Sequence, residues 1–286
     1  MAAVRIGTCS WADEGLLKTW YPRGVSTAEA RLRYYAERFD TVEVDSPFYA
    51  LPDPAVTGRW AQRTPDGFVF HVKASAAMTW HQGEPDDQAF RDFRAALEPL
   101  ELSGKLRGVL LQYHPRFTKT RQSLDELARA RDRLDPLVPL VEFRHRSWLE
   151  EDERADTLGF LERHGLAYVS VDAPRTRASN VVPPIAAVTH RVAYVRFHGR
   201  NARTWNIKSE KSWERFDWMY APEELEDWVE RVRDLASAAE EVYALFNNNR
   251  DDFAPRSAAI FRGLLDEAGV AASGGIEPPP LAPTLF

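Results

Sequence analysis

The sequence predicts a single-domain (β/α)₈ barrel, the TIM-barrel fold, with eight parallel strands. Two observations predict it. Short apolar segments of strand length alternate with longer segments of helical period, from the first residues to about residue 268. Strands that alternate with helices in this way are typical of a parallel sheet. The length of 286 residues lies within the range of a single α/β barrel.

Eight short runs rich in β-branched and aliphatic residues indicate the strands. They are expected at about residues 4–9, 41–45, 68–73, 106–112, 138–144, 167–172, 192–198 and 242–247. Segments of helical period lie between or after these runs, and the clearest amphipathic repeat is that of 222–237. The helices are expected near 27–39, 54–63, 86–99, 122–134, 152–164, 222–237 and 254–267.

Two segments that follow strands interrupt this alternation. Residues 173–191, after the sixth strand, show no helical period, and residues 199–221, after the seventh strand, are rich in tryptophan and basic side chains. Long strand-to-helix loops of a barrel usually carry function. The barrel domain is expected to span 1–268, and the Pro- and Gly-rich segment 269–286 is expected to be a loosely ordered tail.

The composition excludes several classes of protein. A net charge of −6, with 44% hydrophobic and 28% charged residues, is typical of a soluble protein without general affinity for nucleic acid. The single cysteine, Cys9, excludes an intramolecular disulfide and a Cys-rich metal site, and it fits a cytoplasmic location. Neither a signal peptide nor a membrane span is expected from the apolar runs. The sequence does not determine the oligomeric state.

Polar residues recur on one phase of successive strands, whereas the other phase is apolar and is expected to pack under the helices. The polar phase, toward the carboxyl ends, carries Glu43, Asp45, His71, Lys73, Gln112, Glu142, Arg144, Asp172, Arg196, His198 and Asn247. An unpaired buried ion costs on the order of several kcal/mol, so these groups must pair with one another, with water or with a ligand. We therefore expect a charged pocket at the end of the barrel where active sites lie. The alternative is a salt-bridge lattice that only maintains strand register.

Several segments resemble a known family. They are IGTCSW at 6–11, TVEVDSPFY at 41–49, VEFRHRSW at 141–148, VRFHGRN at 195–201, APEELEDW at 221–228, and FNNN with FAPRSA within 246–258. In these motifs, their order and their spacing, the sequence resembles the DUF72 family of YecE-like proteins up to about residue 266. The resemblance implies a TIM barrel and no established activity. The sequence departs from the family at Cys9 and Ser10, where the family motif is closer to GTSGW, and at Asp45, where the family often has Asn.

Four residues are candidates for proton transfer. Glu43 and Glu142 end the second and fifth strands, and two carboxylates in different surroundings can serve as general acid and base. Their alternative role is to pair with cations such as Lys73. Asp172, at the end of the sixth strand, is a candidate base, ligand or helix cap. His198, at the end of the seventh strand, titrates near neutral pH.

Basic and amide side chains at the same end are candidates for substrate binding. Guanidinium groups hold carboxylate and phosphate in two-point geometry, and barrels often bind phosphate near the seventh and eighth strands. An aromatic ring after the first strand could stack on a sugar or base, or could pack against the rim. The candidate substrate-binding residues are Trp11, Lys73, Gln112, Arg144, Arg196, Arg200 and Asn247.

The leading hypothesis is an enzyme that uses general acid–base chemistry on a small anionic ligand, bearing phosphate or carboxylate, or on a sugar-like substrate. The sequence contains no Walker loop, GxGxxG, HExxH, GxSxG or CxxC motif, so the corresponding chemistries lose support. No cofactor is predicted under this hypothesis.

Two alternatives remain open. One is a divalent-metal-dependent phosphoesterase or isomerase, with oxygen and nitrogen ligands from Glu43, Asp45, Glu142, Asp172 and His198. Asn247, in place of a carboxylate after the eighth strand, counts against it. The other is a non-catalytic nucleic-acid or nucleotide-binding protein that uses the basic stretch 196–218, which the acidic net charge does not favour.

Overall fold

The computed structural model describes residues 1–209 and 211–276, and its centre is a closed parallel barrel of eight strands. Neighbouring strands in the barrel are neighbours in the chain, and the first strand closes the ring by pairing with both the second and the eighth. The predicted TIM barrel is thus confirmed. The strands are β1 (Val4–Thr8), β2 (Thr41–Val44), β3 (Val69–Lys73), β4 (Leu106–Gln112), β5 (Pro139–Glu142), β6 (Ala167–Asp172), β7 (Val192–Phe197) and β8 (Glu241–Phe246).

The helices surround the barrel, and each predicted helix is present. They are α1 (Glu14–Thr19), α2 (Ala28–Ala36), α3 (Pro54–Arg63), α4 (Asp87–Leu102), α5 (Arg121–Leu134), α6 (Arg154–Arg163), α7 (Ser212–Arg215), α8 (Pro222–Ala238) and α9 (Phe253–Glu267). The short helices α1 and α7 were not predicted. Side chains of Thr27, Asp53, Asp86 and Thr120 accept hydrogen bonds from backbone N–H groups at the starts of α2 to α5, which explains where those helices begin.

No helix within 1–209 or 211–276 is long and apolar enough to span a membrane.

The seam between β1 and β2 is closed by two different contacts. At the carboxyl end, Thr8 pairs directly with β2, because Gly7 leaves no Cβ to meet the Thr41 carbonyl oxygen, which would lie 2.5 Å away. At the amino end, a short strand β9 (Ala272–Ser273) pairs with the start of β1. The first part of the expected loose tail is therefore part of the sheet. Its remainder, 277–286, lies outside the described residues.

Strand register shows which side chains point into the barrel, because residues directly paired in a parallel sheet share a face. Val171 of β6 pairs with Arg196 of β7, and Asp172 pairs with Phe197. Arg196 points inward and Phe197 packs outward on Phe261 of α9. Asp172 therefore points outward, and its predicted place on the inward phase is wrong. Every residue of β6 is buried on whichever face it lies, so burial and alternation could not distinguish the two phases.

Candidate active site at the carboxyl ends of the strands

A cavity of about 630 Å³ opens at the carboxyl ends of the strands. Its size falls within the usual range for small-molecule sites. Side chains that follow β1, β2, β3, β4, β5 and β8 form its walls and floor, and the loop after β7 covers part of it. The polar side chains that border it include Asp13, Asp45, Lys73, Gln112, Arg144, Asn247 and Asn249.

Arg196 lies at the barrel axis beneath this cavity and is fully buried. Its Nη1 donates to Glu142 Oε2 at 2.6 Å and to Gln112 Oε1 at 3.1 Å, and its Nη2 donates to Glu43 Oε1 at 2.5 Å. Burial by itself would lower the pKa of Arg196, but Glu43 and Glu142 hold that pKa well above its ordinary value. Arg196 is therefore a permanent cation that links strands β2, β4, β5 and β7.

Glu142 is also fully buried and accepts three hydrogen bonds. Besides Arg196, the donors are Arg144 Nη1 at 3.0 Å and His198 Nε2 at 3.1 Å, both to Oε1. Burial would raise the pKa of this carboxyl, but Arg196, His198 and Arg144 together hold it well below its usual range. Both oxygens are thus occupied by protein donors, and Glu142 does not line the cavity.

His198 is buried between Glu142 and Asn247, whose Nδ2 lies 2.9 Å from His198 Nδ1. Burial lowers the pKa of His198 to about 4, so the ring is neutral at physiological pH. A carboxylate can only accept, so the ring proton is on Nε2, and Nδ1 accepts from the Asn247 amide. His198 consequently determines which way Asn247 points, although the imidazole itself does not reach the cavity.

Glu43 accepts from Arg196 and from Tyr194 Oη, the latter at 2.9 Å. Burial raises its pKa to about 7 against the lowering effect of Arg196, and the charge of Asp45 contributes to the rise. Glu43 does not line the cavity, whereas Asp45, two residues later, does. The four residues Glu43, Glu142, Arg196 and His198 form one buried polar layer, which we call the sub-floor lattice.

Lys73 and Arg144 are the cations at the cavity floor. Lys73 is 8% exposed, forms no ion pair with a described carboxylate, and its Nζ lies 4.6 Å from the ring centre of Phe48. Arg144 donates to Glu142 through Nη1, and its guanidinium lies over Trp205 at 4.7 Å. Both predicted anion-binding residues therefore border the cavity, as do Gln112 and Asn247.

Among the described residues, the carboxyl groups that border the cavity are those of Asp45 and Asp13. Asp45 Oδ1 lies 3.8 Å from Arg196 Nη2, beyond hydrogen-bonding distance. Burial raises the pKa of Asp13 to about 7, with a further rise from Asp45 and opposing hydrogen bonds with Ser10 and Asn249. Sequence reasoning missed Asp13, although its position shortly after the first strand was a signal that could have placed it at this end of the barrel.

Asp172 and Arg200 belong to a different cluster. Asp172 accepts from Trp228 Nε1 at 2.8 Å, from Tyr220 Oη at 2.6 Å and from Arg200 Nε at 3.0 Å, and Arg175 pairs with it as well. These bonds attach α8 and the loop after β7 to the outside of the barrel. Neither Asp172 nor Arg200 lines the cavity, so the structure does not bring them to the site at which they were predicted to act.

The predicted metal ligands do not form a coordination site. Asp172 points to the outside of the barrel, both oxygens of Glu142 are held by cationic or N–H donors, and Arg196 occupies the space between Glu142 and Glu43. Within the described part of the chain no group of three or more His, Cys, Asp or Glu side chains is placed to hold a metal ion. The set Glu43, Asp45, Glu142, Asp172 and His198 thus does not fit a divalent metal.

Trp11 borders the cavity but is 8% exposed and packs edge-on against Trp60 at 5.4 Å. Its ring is largely part of the rim.

In the basic stretch 196–218, the charges of Arg196 and Arg200 are engaged in buried or half-buried ion pairs. Those two cations are therefore not available to nucleic-acid phosphates.

Comparison with known proteins identifies the family. The family described as "Protein of unknown function DUF72" matches residues 5–282. The UPF0759 protein YunF of Bacillus subtilis is 31% identical over 272 residues, which cover 92% of this chain and 95% of YunF. The UPF0759 protein YecE of Escherichia coli K12 is 27% identical over 217 residues, covering 70% and 78% of the two chains.

Solved structures agree. A DUF72 family protein from Thermotoga maritima superposes with a TM-score of 0.81 at 30% identity, covering 92% of this chain and 99% of its own. A DUF72 family protein from Enterococcus faecalis gives a TM-score of 0.80 at 26% identity, with 99% of each chain covered. The family match over nearly the whole chain confirms the resemblance predicted from the motifs. This chain belongs to the DUF72 family.

Proposed function

We propose that this protein is an enzyme that binds a small anionic molecule, sugar-sized and bearing phosphate or carboxylate, and acts on it by acid–base chemistry. One observation carries the proposal: Lys73 is almost fully buried at the cavity floor without a carboxylate partner in the described part of the chain. A buried ammonium ordinarily requires a paired anion. A ligand would supply that anion.

The surroundings of Lys73 support this interpretation. Its contact with Phe48 is a cation–π interaction, which is worth about 0.5–2 kcal/mol and does not replace an ion pair. Arg144 borders the same cavity, and only its Nη1 is engaged by Glu142. Its other N–H groups form no hydrogen bond with the described residues, and a planar guanidinium with such groups suits two-point binding of phosphate or carboxylate.

The acid–base role falls to the carboxyl groups that face the ligand. Asp13 and Asp45 border the cavity, and the pKa of Asp13, near 7, allows it to give or take a proton at neutral pH. Glu142 and His198, for which the sequence predicted this role, lie one layer deeper. We assign them a positioning role: Glu142 holds Arg144, and His198 orients Asn247.

Isothermal titration of glucose 6-phosphate and inorganic phosphate tests the proposal. We expect the wild-type protein to bind glucose 6-phosphate, and Lys73→Met to weaken that binding at least tenfold. The matched control is Lys18→Met, which removes the same charge from an exposed lysine paired with Glu14. Absence of binding by the wild-type protein, or equal binding by the wild-type and Lys73→Met proteins, would overturn the proposal.

A further inference from the structure

Six charged or amide side chains that border the cavity at or just after the strands divide into two groups by strand. Lys73, Gln112 and Arg144 follow or end the consecutive strands β3, β4 and β5, and we call them the donor half. Asn247 follows β8, and Asp13 and Asp45 follow β1 and β2; these three form the acceptor half. Because β8, β1 and β2 are also consecutive around the barrel, the two halves form separate sectors of the cavity wall, which adjoin where β2 pairs with β3.

The sub-floor lattice determines the polarity of both amides. Gln112 Oε1 accepts from Arg196, so the Nε2 donor is the end of the amide left for the cavity. Asn247 Nδ2 donates to His198, so Oδ1 is the other end of the amide, and it forms no hydrogen bond with the described residues. Asn247 is 4% exposed, so this acceptor is nearly buried in the acceptor half.

Within the described residues, Asp13 forms no ion pair, and the one cation within 4.0 Å of Asp45 is Arg196, at 3.8 Å. Glu43 lies directly beneath the acceptor half, and Arg196, the cation nearest to Asp45, already bonds both Glu43 and Glu142. Burial raises the pKa values of Asp13 and Glu43 to about 7, and the charge of Asp45 contributes to both rises. Lys211, Arg215 and Tyr49 border the same cavity from the loops above.

We propose that the substrate carries a protonated amine as well as an anionic group, and that it binds across the cavity with its anion at the donor half and its ammonium at Asp13, Asp45 and Asn247. This inference rests on the proposed function, which it extends by naming the second charged group of the substrate. An ammonium provides several N–H donors, which matches three acceptors better than a single hydroxyl does. A bound cation also relieves the repulsion between the two aspartates.

Two probes that differ only at one carbon test the inference: glucosamine 6-phosphate and glucose 6-phosphate, which have an amine and a hydroxyl at C2. We expect the wild-type protein to bind the amino sugar phosphate at least tenfold more tightly, in titrations at pH 7.5. Asp45→Asn is expected to reduce this preference to less than threefold. Asp66→Asn, which removes an exposed carboxylate that precedes β3 at the opposite end of the barrel, should leave the preference unchanged.

The outcomes separate this inference from the proposed function. Equal affinity for the two probes, with both lost in Lys73→Met, would overturn the amine inference and leave the anion site in place. A preference for the amine that persists in Asp45→Asn would also overturn the inference. If neither probe binds the wild-type protein, both proposals fail.

Discussion

Replacing Glu142 with Gln tests whether the sub-floor lattice is structural. The carboxylate accepts from Arg196 at 2.6 Å, from Arg144 at 3.0 Å and from His198 at 3.1 Å, with no exposure to solvent. With a neutral amide at position 142, Glu43 would be the one carboxylate still bonded to Arg196. The NH₂ group of the new glutamine would face a cationic donor. Breaking a buried ion pair by removing one partner costs about 3–5 kcal/mol. We expect the free energy of unfolding to fall by about that amount.

The assay is urea denaturation of wild-type and variant proteins at pH 7.5, followed by fluorescence. Glu150→Gln is a matched control on the same segment, because Glu150 also pairs with an arginine, Arg146, at 3.1 Å but is 49% exposed. Exposed pairs contribute about 0–1 kcal/mol, so the control should change stability little. A loss of less than about 1 kcal/mol in Glu142→Gln would refute the reasoning, since an interior carboxylate with three donors cannot be replaced so easily.

Three further predictions concern other parts of the molecule. Burial raises the pKa of Asp13 to about 7, so ionisation of this carboxyl destabilises the folded protein as pH rises from about 4 to 7. After allowance for the partial exposure of Asp13, we expect Asp13→Asn to increase the free energy of unfolding by about 1–2 kcal/mol at pH 8 and by little at pH 4. Thermal unfolding at the two pH values measures the difference. Burial lowers the pKa of His71 to about 3, so below pH 6.5 the unfolded chain binds a proton that the folded chain excludes. We expect His71→Leu to reduce the loss of stability between pH 6.5 and 4 by about 1.4 kcal/mol per pH unit. An unchanged dependence of the free energy of unfolding on pH would contradict this. Gly274→Ala places a Cβ 2.2 Å from the Ile6 carbonyl oxygen, whereas the Cβ of Gly269→Ala, also at positive φ, meets nothing within 4 Å. We expect Gly274→Ala to destabilise the protein by about 1–3 kcal/mol more than Gly269→Ala does. Equal effects of the two substitutions would mean that β9 does not pack as described.

The strands and most helices could be predicted because their signals are local. Runs of β-branched residues and capping residues such as Thr27 and Asp53 lie within a few positions of the elements they start. β9 could not be predicted, since two residues held by backbone pairing have no side-chain pattern. The outward orientation of the Asp172 side chain could not be predicted either, because both faces of β6 are buried and only the pairing with β7 distinguishes them.

Only part of the site could be predicted, because the depth of a side chain within the barrel is not a local property of the sequence. Alternation along each strand identified the inward polar residues, including Lys73 and Arg144, but not their depth. Whether Glu142 faces a ligand or lies beneath it depends on how far a side chain reaches across the barrel, which sequence spacing does not determine. Asp13 lies in a loop, and its raised pKa arises from burial and from Asp45, which is remote in sequence. Such properties depend on tertiary distances.

A crystal structure of the protein grown with glucose 6-phosphate tests the anion site most directly. We predict the phosphate within hydrogen-bonding distance of both Lys73 Nζ and Arg144, at the end of the cavity away from Asp13. A phosphate bound elsewhere, or a Lys73 side chain turned to pair with Asp45 in an otherwise unliganded cavity, would contradict this account.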